Sequence, residues 1–342
     1  MSGSGGALYA SSSEVALINT QALNCSAKED GGAVYLFNST YHSEGNRFIG
    51  NQAQRYGGAV RSDGLVNFVS KLDYYGENTA LEGGAIFLRG LVQSSFDDVV
   101  FSYNQAYSSG GAVASSGGSK FKCTGCLFEH NRSGSSGGGL LLSQFAESEV
   151  ARSQFILNGA STGGGAICTQ DKSSLKVNQV NISSNTGQEG GGILFNSGMS
   201  NEVIECTISL NFANSTGGGI SMRNDAQVNM ERTTVTENGA YSGGGIWTED
   251  FTQLTILSSE FTRNIAVSRG GGILMGDASF GSITNTTFLN NEGNATGGGA
   301  IWIQDQANPA IKNCSFEVGS ARLLSSTYLT SGLIDYRGIL EL

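Results

Sequence analysis

Apolar positions recur along this chain at a spacing too long for one helix face. An aliphatic residue closes a Gly-Gly-(Ala or Gly)-aliphatic tetrad at Leu8, Val34, Val60, Ile86, Val113, Leu140, Ile167, Ile193, Ile220, Ile246, Ile273 and Ile301, in steps of 26 to 28 residues. A second apolar column runs in phase: Phe48, Tyr75, Phe101, Phe128, Phe155, Ile182, Ile208, Val235, Phe261, Phe288 and Phe316. Each stands three residues before a slot that reads Asn24, Asn51, Asn78, Asn104, Asn131, Asn158, Asn185, Asn211, Asn238, Asn264 and Asn291, with Gly319 in the twelfth copy. Gln21 breaks the apolar column in the first copy. From Val60 onward the tetrad-to-slot distance is constant at 18 residues, while the slot-to-tetrad distance varies between 8 and 10. Length variation is therefore confined to one short connection.

No window carries apolar residues at the helical spacing i, i+3, i+4, i+7. Segments such as 165–169 and 282–288 are short, β-branched and bounded by Gly, Ser and Asn, and they read as strands. Three short strands and three turns fit in one 26–27-residue unit. One such coil cannot bury its own apolar face, so coils must stack. The pattern predicts an all-β fold, a single right-handed parallel β-helix of about 12 coils. Its hand follows the general preference of parallel crossovers. At one strand spacing per coil the rod would be about 55–60 Å long. Regular coils are expected over about 5–319, with 320–342 as a degenerate last coil or cap, in one domain covering 1–342. The first tetrad begins at Gly5 without a cap, which predicts a fragment of a larger surface protein.

Each repeated residue has a physical role. The Gly pair allows positive φ at a tight turn, and the small third residue suits a crowded corner. The aliphatic and aromatic columns point inward and stack. Asn tolerates the left-handed region at a bend, and stacked amides can donate to one neighbour and accept from the other. Asn51, Asn78, Asn104, Asn131, Asn158, Asn185, Asn211, Asn238, Asn264 and Asn291 are thus expected to form a structural ladder, not a catalytic set.

The pairing of Gly-Gly-Ala-Ile with Phe-x-x-Asn, as in Phe155-Ile156-Leu157-Asn158 followed by Gly164-Gly165-Ala166-Ile167, resembles the repeats of the polymorphic membrane protein family of chlamydiae. The similarity runs from about Gly5 to Gly319. It implies a right-handed, pectin-lyase-like β-helix and a role as an autotransporter passenger or surface adhesin. The chain departs from that family in having no leader and no C-terminal region long enough for a membrane barrel. The resemblance therefore bears on fold and surface role more than on an outer-membrane address.

Composition narrows the choice. Gly makes up 51 of 342 residues, roughly twice the usual share, without the Gly-X-Y period of collagen. The net charge is −10 and the pI about 4.7, which disfavours nucleic acid and anionic membranes as partners. No apolar run is long enough to span a bilayer as a helix.

Chemistry is sparse. The adjacent acidic pairs are Glu29-Asp30, Asp97-Asp98 and Glu249-Asp250. Neighbouring strand residues face opposite sides, so each pair places at most one carboxylate on a face. Asp97-Asp98 is similar to the paired aspartates of pectin-degrading hydrolases, but the Gly-His-Gly and Arg-Ile-Lys partners of that family are missing. His42 and His130 read as loop or turn residues. No metal or cofactor is expected: Cys123-x-x-Cys126 is a weak zinc signal without a second pair, though a bond between the two cysteines is compatible with the spacing. Cys126, Cys206 and Cys314 read as small buried hydrophobes. Eight Asn-x-Ser/Thr sequons occur, at Asn24, Asn38, Asn131, Asn181, Asn214, Asn285, Asn294 and Asn313. Asn24 and Asn131 should be poor acceptors within the ladder. Asn214 and Asn294, in the variable connection, are the best placed in a secreted eukaryotic protein.

The residue after each tetrad should face outward. That column includes Tyr35, Phe87, Leu141, Leu194, Trp247, Leu274 and Trp302. It reads as an exposed apolar stripe for a ligand, or as a column covered by the neighbouring turn. The expected function is a non-enzymatic surface or extracellular rod. It would bind a protein or glycan on another surface, or self-associate, without spanning a membrane. The alternatives are a polysaccharide lyase or hydrolase and a purely structural repeat segment.

Overall fold

The computed structural model describes residues 3–196, 198–294 and 297–317. The predicted Gly319 slot and the expected cap at 320–342 lie outside them. The chain divides into two compact units, Met1–Leu175 and Lys176–Leu342. Each is a parallel β-solenoid, and among the described residues there is no helix.

Ten coils repeat the same four-strand order, and the last two described coils keep its first three strands. A tetrad strand, such as Ile86–Arg89, begins on the tetrad aliphatic residue. A five-residue strand follows, such as Gln93–Asp97. A three-residue strand, such as Val100–Ser102, carries the aromatic column. A short fourth strand follows the Asn slot, such as Gln105–Ala106. The repeat predicts three strands per coil; the fourth runs from Ser26–Ala27 to Gly159–Ala160 in the first unit and from Thr186–Glu189 to Ile265–Ala266 in the second. In the first unit this strand is two residues long, too short to show a hydrophobic period, and in the second it lengthens to as many as five residues at Phe212–Thr216.

Pairing is parallel and in register, coil on coil. Ile86 lies between Val60 and Val113, and Phe101 between Tyr75 and Phe128. The aromatic column forms a stack in the first unit, with ring centroids 4.8, 5.2, 4.6 and 4.4 Å apart from Phe48 through Tyr75, Phe101 and Phe128 to Phe155. In the second unit Phe261, Phe288 and Phe316 repeat it. The five-residue strands alternate as a half-buried strand should: Phe68 and Ser70 point inward while Asn67 and Lys71 are exposed. Residues this deeply buried contribute about 1.5–3 kcal/mol each for a large apolar side chain.

The two tetrad glycines have separate jobs. Gly83 has φ +62, but Gly84 does not lie in the left-handed region. At Gly84 the reason is space: a Cβ there would sit 2.0 Å from the Gly111 carbonyl oxygen. The first glycine turns the chain and the second lets adjacent coils touch.

The Asn ladder is present, with one change of geometry. Asn78 Nδ2 donates to Asn104 Oδ1 at 2.9 Å and to the Phe48 carbonyl at 2.9 Å, and its backbone N–H also donates to Asn104 Oδ1. The same set recurs at Asn51, Asn104 and Asn131, and at Asn211, Asn238 and Asn264. Asn158 donates to the Phe128 carbonyl, Asn185 to Asn211 and Asn291 to the Phe261 carbonyl. Contrary to expectation, the left-handed residue is the one before the ladder Asn: Glu77, Tyr103, His130 and Leu157 have φ between 54° and 58°. The Asn side chain must turn inward to join the ladder, so the residue before it absorbs the bend.

In the first coil the ladder slot is Cys25, not Asn24. Ala22 opposes Phe48, and Cys25 N–H donates to Asn51 Oδ1 at 3.0 Å. Asn24 instead takes the left-handed bend with φ 52° and is exposed. This one-residue shift also removes Gln21 as an exception in the apolar column.

A second ladder escaped the sequence because its residue type varies. The backbone N–H of Asn46 donates to Asp73 Oδ1, that of Cys126 to Ser153 Oγ, and that of Cys206 to Thr233 Oγ1. Cys206 and Cys314 are free thiols buried in this column, as small hydrophobes should be, whereas Cys126, also buried there, is not a free thiol. Cys123 and Cys126 form a disulfide.

Candidate functional site

The outward face of the tetrad strands is where the structure departs most from expectation. Phe87, Leu141, Leu194 and Leu274 are buried, so this column is not a continuous exposed stripe. The positive-φ glycine brings the preceding connection against the strand: a Cβ on Gly83, Gly243 or Gly270 would meet the Cβ of Phe87, Trp247 or Leu274 at 3.0, 2.7 or 2.8 Å. Tyr35, Trp247 and Trp302 alone of the seven named residues stay half-exposed.

In the first unit this covered face holds Arg61, only 2% exposed. Its guanidinium lies 4.4 Å from the Phe87 ring centroid and 4.8 Å from that of Tyr56, and it donates to Asp63 Oδ2 at 2.8 Å. Burial pushes the Asp30 and Glu82 carboxyls up, and the Arg61 charge opposes the rise at both. Tyr35 stacks on the exposed Tyr9 at 5.1 Å. The arrangement is a stapled corner in which Arg61 Nη2 is held by Asp63 and the guanidinium lies against two rings, while Nε and Nη1 are buried without a hydrogen-bond partner among the described residues.

The second unit keeps the same face open in part. The residues two after the tetrad aliphatic column plus one are Arg223, Glu249, Gly276 and Gln304, beside Ser221, Trp247, Leu274 and Trp302. Glu249 and Gln304 each stand one residue past the strands Ile246–Thr248 and Ile301–Ile303, two residues after a half-exposed Trp. Trp302 Nε1 donates to Gln304 Oε1 at 2.8 Å, and the Arg269 guanidinium lies 4.8 Å from the Trp302 ring centroid. Arg223 pairs with Glu189 at 2.7 Å. A Cβ on Gly276 would lie 3.6 Å from the Gln304 side chain. Burial pushes the Glu249 carboxyl up to about 7, reinforced by Asp250, Asp277 and Glu189 and opposed by Arg223.

The other sequence candidates do not converge. Asp97 ends its strand and Asp98 is an exposed left-handed bend. His42 lies within the strand Thr40–Glu44, not in a loop, with Nε2 3.6 Å from Glu44 Oε2. His130 is a bend residue stacked on Tyr103 at 4.7 Å. Among the described residues no group of His, Cys, Asp and Glu is arranged to hold a metal ion, and no helix is long and apolar enough to cross a membrane. The Glu249 environment has no signal in the sequence beyond the adjacent Glu249-Asp250 pair, because Glu189, Arg223 and Asp277 reach it from other coils.

The right-handed β-helix region family model matches residues 84–241 and 158–316, together more than half of the chain. The chain belongs to this family, and the solenoid is right-handed. No curated protein and no solved structure matches the chain.

Proposed function

We propose that this protein is a non-enzymatic, extracellular or cell-surface β-helix module that holds a glycan or protein ligand on the outward tetrad face of its second unit. The resemblance to passenger repeats supports the surface role. The observation that carries the reading is the pair Trp247 and Trp302. They are half-exposed, two coils apart on one face, about 9–10 Å by strand spacing, and flanked by Glu249, Arg269 and Gln304. Aromatic faces beside fixed amide, guanidinium and carboxyl groups suit a polyhydroxylated ligand.

The test is retention of the purified chain on a panel of immobilised polysaccharides and cells, with released reducing ends scored in the same wells. Retention without cleavage, weakened about tenfold by Trp247→Ala or Trp302→Ala, is the expected result. Unchanged retention in both variants overturns the site.

A second reading, a polysaccharide-cleaving enzyme, is favoured by Glu249 alone. A carboxyl poised near 7 is suited to give or take a proton at neutral pH. Cleavage abolished by Glu249→Gln would establish it in place of the first.

A further inference from the structure

The fourth strand of the second unit carries an apolar patch that the solenoid core does not use. Phe212, Tyr241, Ile265 and Val267 are each half or more exposed. Phe212 opposes Gly239, which opposes Ile265. Gly239 has no side chain to displace Phe212, whose Cδ2 would lie 3.3 Å from a Cβ placed there. The ring therefore lies over the neighbouring coil with one face toward solvent.

Asn214 stands on the same face as Phe212, two residues on along the strand Phe212–Thr216, about 6.6 Å away by strand rise. Its side chain is exposed. The register shifts between Ala213 and Thr216, so Asn214 and Ser215 together oppose Tyr241. Such a bulge re-aims side chains away from the ladder. Asn214-Ser215-Thr216 is a sequon. Of the eight sequons in the chain, it alone has an aromatic residue two positions before the Asn. Asn24, Asn38, Asn285 and Asn313 occupy left-handed bends, and Asn131 is a buried ladder rung. The Thr216 hydroxyl is buried without a hydrogen-bond partner among the described residues. The fold makes no use of the group that a sequon requires.

We propose that Asn214 is an N-glycosylation site whose first sugar lies on the Phe212 ring and covers the Phe212–Tyr241 patch. In the transfer, Asn214 Nδ2 bonds to the anomeric carbon of an N-acetylhexosamine carried on a polyprenyl pyrophosphate. The bond from that carbon to the pyrophosphate oxygen breaks, the pyrophosphate leaves with the electron pair, and the amide gives up one proton. No oxidation or reduction takes place. The first sugar then presents its apolar face to the aromatic ring two residues back. The inference is independent of the tetrad-face ligand.

The full chain, routed through the secretory pathway of a eukaryotic cell, tests it. Site occupancy is read by mass spectrometry after enzymatic deglycosylation, which converts each occupied Asn to Asp. The expected result is high occupancy at Asn214, none at Asn131, loss of the Asn214 glycan in Thr216→Val, and a several-fold lower occupancy in Phe212→Ala. Removing the glycan from the folded wild-type chain should lower its melting temperature by about 1–3 °C, with no such change in Phe212→Ala. An unoccupied Asn214, whether or not other sequons are filled, overturns the site. Occupancy and melting shift both unaffected by Phe212→Ala overturn the stacking.

Discussion

Asn104 and Asn131 stand 27 residues apart in sequence, yet the Asn104 amide donates to Asn131 Oδ1 at 3.0 Å. The Asn104 backbone N–H donates to the same oxygen, also at 3.0 Å. One buried acceptor thus satisfies two donors of the adjacent coil, and the arrangement recurs at Asn51, Asn78, Asn131, Asn185, Asn211, Asn238 and Asn264. Replacing Asn104 by Ala removes its own bonds and strands Asn78, whose backbone and side-chain N–H groups both donate to Asn104 Oδ1. Unsatisfied buried donors are costly, so Asn104→Ala should lose about 2–4 kcal/mol in denaturant unfolding. Asn291→Ala, at a half-exposed rung, should lose less.

The second tetrad glycine is set by contact, and its neighbours cannot yield. Gly84→Ala drives a methyl onto the Gly111 carbonyl, and backbone on backbone has no rotamer to relieve it. Thermal unfolding should show a loss of at least about 3 kcal/mol. Gly239→Ala meets only the half-exposed Phe212 ring and should stay within about 1 kcal/mol of wild type. Equal losses at the two positions would contradict the contact explanation.

Arg61 tests whether a buried guanidinium holds the covered face together. Lysine keeps the charge but loses the planar group that lies against Phe87 and Tyr56. Arg61→Lys should destabilise the first unit by about 1–2 kcal/mol, measured by chemical unfolding. An unchanged midpoint would show that the rings pack without it.

Glu249 gives a pH signature. Its folded-state carboxyl is raised to about 7, above the range of an unfolded Glu. Below the unfolded value both states are protonated and its contribution to stability is fully present. Between about 4.5 and 7 the unfolded chain releases the proton first, so stability falls as pH rises. Glu249→Gln should therefore melt above wild type at pH 8, with the difference closing by pH 4.5. A pH-independent difference would place the carboxyl in an ordinary environment. Asp30, Asp73 and Glu82 are also raised by burial, so the comparison must be between the two proteins at each pH.

The Phe-x-x-Asn column shows how much of the fold was legible. The constant 18-residue interval fixed the register of the regular coils, because an inserted residue would turn inward-facing side chains outward. The first coil was misread by one residue at Asn24, since Ala22 and Cys25 carry neither the aromatic nor the amide that marks the slot. The Asp73–Ser153–Thr233 column was invisible for a related reason. Any small side chain with an acceptor can serve there, so no single residue type repeats.

The sequence by itself determined the coil, its period, its inward columns and the amide ladder. These are nearest-neighbour properties, repeated at every step and therefore written many times over. Only the tertiary structure decided what the outward tetrad face would be. Phe87 and Leu274 alternate outward as strand geometry requires, but the glycine turn brings the connection against them and both are buried. At Trp247 and Trp302 the cover is incomplete, and whether a side chain reaches solvent there depends on groups brought in from other coils. No local pattern can encode that.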